Sequence, residues 1–183
     1  MTTRPQPIST RRLQLLALLP AEIEALVARD AERASQLLGA RFPDGFPNDA
    51  AARSGLSWHL RHLRADGAEV PWRIRVMVEL DSGVVIGSIN AKGPPDPRGD
   101  VEIGWGVSTT HRRRGFAFEA AAAVIQWATA QTRVRSVSAR VPEDNEASGA
   151  LAAKLGMVRT ALLRDSLPVW QLQLGARVSP SGE

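Results

Sequence analysis

Cysteine and tyrosine are both absent from the 183 residues, and lysine occurs only as Lys92 and Lys154. Without a thiol there are no disulfides, no thiolate metal sites and no cysteine nucleophile, a composition that fits a reducing cytoplasm. The missing phenol shortens the menu of catalytic acids further. Long apolar runs are lacking too: nothing approaches the roughly 20 residues of a membrane-spanning helix. Thr10-Arg11-Arg12 ahead of LQLLALL has the outline of a twin-arginine export signal, but the run is short, is broken by Gln14 and meets Glu22 and Glu24 with no A-x-A cleavage pattern. It reads as a strand, and a cytoplasmic protein without membrane contact is expected. His59 and His62 could share a helix face, yet no third ligand is near and Arg61 and Arg64 crowd them, so no metal site is expected. Repeats and low-complexity tracts are also missing.

What is present describes one globular domain. Hydrophobic residues make up 44% and charged residues 23% of the chain, ordinary values for a folded protein. The expected organisation is a mobile arm over 1–9, where Pro5 and Pro7 leave little to bury, one domain over 10–175 and a tail over 176–183. The net charge is +4, carried almost wholly by arginine. Such a surface suits a polyanion, whether nucleic acid, a ribosome or a phosphorylated cofactor, or it reflects arginines scattered by coding bias. No recognised nucleic-acid-binding motif is visible, and direct nucleic-acid binding is not expected.

The most informative stretch is Val101 to Ala120, VEIGWGVSTTHRRRGFAFEA. An apolar strand passes through a polar turn into an alanine-rich helix. At that junction the first N–H groups of the helix lack intrahelical partners and the helix dipole ends positive, so an anion is favoured. Gly115 lets a ligand approach the backbone, and Arg112, Arg113 and Arg114 add charge around it. Three arginines oppose the helix dipole there, which a bound anion explains better than an ordinary helix start. A P-loop needs Lys after its glycine, and a dinucleotide fingerprint needs a third glycine where Thr109 stands; both fail.

Around this centre the chain alternates. Thr10 to Leu16 reads as a strand, Pro20 opens a helix, and RFPDGFPN over 41–48 is a loop before helical spacing over 49–65. Val70 to Leu80 and Val84 to Ala91 read as strands about an Asp81-Ser82-Gly83 turn, and Arg135 to Val141 as another. A short helix over 145–157 with a glycine stop precedes a closing hairpin. The pattern implies an α/β or α+β layer fold around one mixed sheet.

Arg112-x-x-Gly115-x-Ala117 matches [QR]-x-x-G-x-[GA], placed between strand and helix as in the GNAT superfamily of acyl-CoA-dependent N-acetyltransferases. With EIGWGV before it and FEA after it, the segment resembles the branch that acetylates ribosomal-protein N-termini. Thr10, Arg12, Leu13, Leu15, Leu18 and Pro20 resemble the opening of that branch, and Asn145, Ser148, Lys154 and Gly156 its second signature. The resemblance implies a mostly antiparallel mixed sheet flanked by helices, splayed into a V at the central strand. It implies acetyl-CoA as co-substrate, pantetheine pairing near Trp105 to Val107, and pyrophosphate on the amides of Arg113, Arg114, Gly115, Phe116 and Ala117. A main-chain N–H near Val107 would meet the oxyanion, and the helices before Ala65 would cover the acceptor side. Asn145 and Ser148 would face the thioester, Ser148 offering its hydroxyl to the leaving thiolate where relatives use a tyrosine; near that position this chain has Ala152.

Glu102 is the candidate base. On a strand it shares a face with Gly104 and Gly106, looking over a glycine-floored surface where an acceptor could lie; pairing with an arginine is the competing role. The acceptor implied is a primary amine, foremost the N-terminal α-amine of a ribosomal or other protein. A small amine such as an aminoglycoside, polyamine or amino acid, or a catalytically silent acyl-CoA-binding module, are the alternatives, in a monomer or homodimer. Acidic residues lining the cleft would favour the polycations.

Overall fold

The computed structural model describes residues 3–47, 50–131 and 133–174. Along them run β1 (Ile8–Ser9), β2 (Leu13–Ala17), α1 (Pro20–Val27), α2 (Ala31–Leu38), α3 (Ala50–Ala65), β3 (Ile74–Glu79), β4 (Val85–Ala91), β5 (Asp100–Val107), α4 (Phe116–Thr129), β6 (Ser136–Arg140), α5 (Glu146–Lys154), β7 (Val158–Arg164) and β8 (Leu167–Gln173). The strands make one sheet in the order β1-β2-β3-β4-β5-β6-β8-β7. Its pairs are antiparallel except β5 with β6. This is the mixed, mostly antiparallel sheet flanked by helices that the resemblance implied.

Two cores lie on the two faces. Leu13, Leu15, Met77, Ile89, Val101 and Ile103 meet Phe116, Ala120, Val124 and Ala128 of α4 on one side. On the other, Leu16, Ile74, Val76 and Val85 meet Ile23 and Leu26 of α1, Ala34 and Leu38 of α2 and Leu56, Leu60 and Leu63 of α3. The strands therefore alternate between two apolar linings, as a sheet covered on both faces requires. Local signals set the helix ends. Pro20 starts α1; Asp30 accepts from Arg33 N–H (2.8 Å) at the head of α2, and Gly39 closes it in the left-handed region (φ 76°).

Two expectations differ from the structure. Part of the expected arm is held by the domain: Ile8 and Ser9 pair with Leu15 and Gln14, and Arg4 meets the buried Glu22 (2.6 Å). Glu22 is 3% exposed, and a buried carboxylate needs a partner. The stretch from Val70 is strand only from Ile74, because Gly67–Trp72 is a 3₁₀ turn started by Asp66. Pro71 within it has no N–H for a sheet ladder. The expected tail over 176–183 lies outside the described residues.

Candidate active site

Pairing of β5 with β6 covers only Asp100, Val101 and Glu102 against Ser136, Val137 and Ser138. Pairing with β4, by contrast, continues from Ile103 to Val107. The two central strands thus part beyond Glu102, and the V opens there. Which groups face the opening follows from the ladder. Lys92 N–H donates to Glu102 C=O (2.8 Å) and Ser108 N–H to Ile86 C=O (2.8 Å), so the even-numbered residues of β5 bond to β4. In an antiparallel pair the alternate residues turn their main-chain groups outward. Ile103, Trp105 and Val107 therefore present N–H and C=O to the opening. Arg112 Nε donates to the Val107 carbonyl (3.1 Å), which leaves the Val107 N–H as a donor and both groups of Trp105. An extended chain with amide groups could pair here as an additional strand.

A buried latch fixes the closed end of the V. Asp100, 6% exposed, accepts from Ser136 Oγ and Ser138 Oγ (2.6 Å each) and from Arg164 Nη1 (3.2 Å). Glu102 accepts from Arg140 Nε (2.7 Å) and lies 3.7 Å from Arg164, while Arg140 also bonds Asp165. Burial works to lower the Arg140 pKa, but Glu102 and Asp165 outweigh it and raise it. So Glu102 shares its face with the glycines, as alternation required, and is also ion-paired.

The far end of the opening leads to the anion turn. Gly115 is the N-cap of α4, left-handed at φ 82°, and no side chain caps the first N–H groups. Arg113 also has positive φ, 61°, unusual for a residue with a side chain and frequent at ligand sites. Arg112, Arg113 and Arg114 are exposed. The turn thus offers uncapped amides, three guanidinium groups and a glycine without bulk, a donor set suited to a diphosphate.

Glu119 in the first turn of α4 would oppose an anion, and its neutralisation was not visible in the sequence. Arg12 N–H and Nε donate to it (2.8 and 2.7 Å), Thr10 Oγ1 donates (2.6 Å), and Arg12 Nη1 also reaches the Arg114 carbonyl (3.0 Å). Burial works against ionisation of Glu119, but the bonds from Thr10 and Arg12 hold its carboxyl below the usual value. The Thr10-x-Arg12 signature was the signal; its partner lies 107 residues away.

On α5, Asn145 is the N-cap and its Oδ1 accepts from Ser148 N–H (3.1 Å). The Ser148 hydroxyl makes no hydrogen bond among the described residues and is half-buried, so the helix backbone does not occupy it. An open surface depression beside this helix is lined by Pro142, Asp144, Asn145, Glu146 and Ala147. Among the described residues no group of three or more His, Asp or Glu could hold a metal. His62 Nδ1 lies 3.0 Å from the Trp58 carbonyl oxygen and His59 is buried. No helix among the described residues is long and apolar enough to cross a membrane.

Comparison with known proteins adds to this geometry. The family model described as acetyltransferase (GNAT) domain matches residues 12–158. The N-acetyltransferase YjdG of Bacillus subtilis strain 168, itself uncharacterised, is 35% identical over 83 residues, 45% of this chain and 49% of that protein. The matched part spans about half the length of that relative. An acetyltransferase from Agrobacterium tumefaciens is similar in structure, with TM-score 0.64 and 22% identity over 94% of this chain and 96% of that one. So is a candidate ribosomal-protein-serine acetyltransferase from Vibrio cholerae, with TM-score 0.61 and 20% identity over 92% and 97%.

Proposed function

Since the chain belongs to the GNAT acetyltransferase family, we propose that it transfers an acetyl group from acetyl-CoA to the N-terminal α-amine of a protein. The observation that carries this reading is the end of β5–β6 pairing at Glu102, which turns the main-chain groups of Trp105 and Val107 toward an opening that leads to the Gly115 turn.

Acetyl-CoA supplies an activated acyl thioester, so the protein need form no covalent intermediate. Trp105 would hold the amides of the pantetheine arm, and the Val107 N–H would donate to the thioester carbonyl as charge grows on its oxygen. The amides of Phe116 and Ala117, with Arg112, Arg113, Arg114 and Gly115, would seat the diphosphate. Asn145 sets the start of α5, and Ser148 would offer a hydrogen bond to the departing thiolate, which needs no more because its own pKa lies near 8.5 by analogy with a simple thiol. Glu102, held by Arg140, would receive the amine proton directly or through water.

The acceptor follows from charge and from the modest base. The carboxylates of this face, Asp100 and Glu102, are already engaged by Arg164, Arg140 and two serines. Neither is free to bind a polyamine or aminoglycoside; Asp144 and Glu146 lie instead at the start of α5. A protein α-amine, with pKa near 7.8, is partly neutral at pH 7, whereas a lysine amine near 10.4 is not. We place the reaction in the cytoplasm, in a monomer or homodimer. Incubation with acetyl-CoA and a panel of N-terminal peptides and small amines, read out as free thiol, tests the proposal. Peptide turnover is expected; turnover of polyamines alone would overturn the acceptor, and no turnover with any amine would overturn the activity.

A further inference from the structure

Beside the opening, on the α3 side of the sheet, stands a group of polar residues that the chemistry above does not use. Cross-strand register sets Ser88 against Gly106 and Asn90 against Gly104. One step on, Lys92 bonds to Glu102 through the main chain. The Asn90 amide lies over Gly104: a Cβ built there would come within 3.3 Å of Asn90 Oδ1. A Cβ at Gly106 would meet nothing within 4 Å. The floor beside Glu102 is therefore filled by one amide at Gly104 and clear at Gly106.

Two buried side-chain atoms lack a hydrogen-bond partner among the described residues, Asn90 Oδ1 and His59 Nδ1. Buried polar atoms without partners are uncommon and call for an explanation. His59 is 2% exposed, and the rings of His59 and Trp58 are 5.0 Å apart. Trp58 in turn lies beneath the Lys92 ammonium (5.5 Å) and the Arg73 guanidinium (4.9 Å). Arg73 is spoken for by Glu69 and by the Lys92 carbonyl. Lys92 is exposed and has no carboxylate within salt-bridge distance among the described residues, since Glu102 is taken by Arg140 and Arg164.

We infer that this group is an acceptor subsite selecting an amine that carries a carboxylate: the acceptor lies over the open Gly106 position beside the Asn90 amide, and Lys92, braced on Trp58, binds the acid. A strand advances about 3.4 Å per residue, so roughly 14 Å separates the Gly106 and Lys92 positions. A lysine side chain covers part of that span, which suits an acidic side chain at the second or third residue of an extended peptide. The inference rests on the acetyl-transfer reading but makes a separate claim, about the charge of the acceptor.

The test compares peptides identical except for Asp, Gln or Lys at the second and third positions, with free aspartate and spermidine as small-molecule arms. Wild-type protein, Lys92→Met and Lys92→Glu are assayed by thiol release, with CoA binding measured in parallel as a check on folding. Wild type should prefer Asp over Gln over Lys by roughly fivefold in kcat/KM for each unit of charge, chiefly through KM. Lys92→Met should flatten the series and Lys92→Glu reverse it, with CoA binding unchanged. A series that is flat in wild type, or a preference that survives in Lys92→Met, overturns the inference and leaves the acetyl-transfer reading standing. Turnover of aspartate but of no peptide removes the protein acceptor while keeping the charge selection; turnover of spermidine alone, or no turnover, removes both.

Discussion

His59 shows what one buried side chain can do to the acid response of the protein. Burial, then the charges of Arg73, Lys92 and His62, lower its pKa from 6.5 to about 3. Between those values the unfolded imidazole takes up a proton that the folded one refuses. Stability is therefore fully present above pH 6.5 and is lost as the pH falls toward 3, by an amount on the order of 5 kcal/mol. Urea midpoints at pH 4.5 and 7.5 should differ markedly less in His59→Leu than in wild type. Ser148→Ala belongs to the same scale. Its hydroxyl has no partner to lose, so the melting temperature should hold while kcat falls about ten- to a hundredfold and CoA affinity is retained. The sequence singled out Ser148 and Gly115 as candidates because each sits in a short local motif. It hid the neutral state of His59 and the Arg12–Glu119 pair, because these depend on neighbours brought together only by the fold.

For whole elements, the sequence was most legible where the periodicity was long. Helix α4 and strand β5 stood out through an alanine-rich run and an apolar run joined by a polar turn. The edges were less legible: Ile8–Ser9 is too short to carry a pattern, and Pro71 sits in a run that otherwise reads as strand. The glycines separate structural from functional demands. At Gly87 an added Cβ would lie 2.3 Å from the Gly106 carbonyl, so that position is closed by packing, whereas Gly106 itself is open. Gly106→Leu should leave the thermal midpoint within about 2 °C, in line with a surface substitution. It should nevertheless abolish turnover by filling the acceptor face. Gly115→Glu acts at the other end of the opening. It forces a side chain into a left-handed backbone costing about 1–2 kcal/mol and sets a second carboxylate beside Glu119. Calorimetry should show CoA binding reduced at least tenfold; normal binding would show that the diphosphate sits elsewhere.

Across the whole molecule, arginine does two jobs. Some arginines neutralise buried or half-buried acids, as Arg4 does for Glu22, Arg12 for Glu119, Arg73 for Glu69 and Arg140 for Glu102. Others, at 112–114, are exposed around the anion turn, although Arg114 also lies 3.6 Å from the half-buried Glu79. The first set is shielded from salt and the second is not, so ionic strength should act on ligand binding before it acts on folding. Raising sodium chloride from about 50 to 500 mM, across which screening lengths shrink severalfold, should increase KM for acetyl-CoA while leaving the urea midpoint nearly constant.

The ladder between β4 and β5 hands its even residues to one neighbour and its odd residues to the other, and that division works like a reading frame. Removing a single residue within 103–107 would exchange the two sets. The amides meant for a ligand would then turn back into the sheet, although every side chain needed for the reaction would still be encoded. The stretch 103–107 should therefore tolerate substitution far better than deletion.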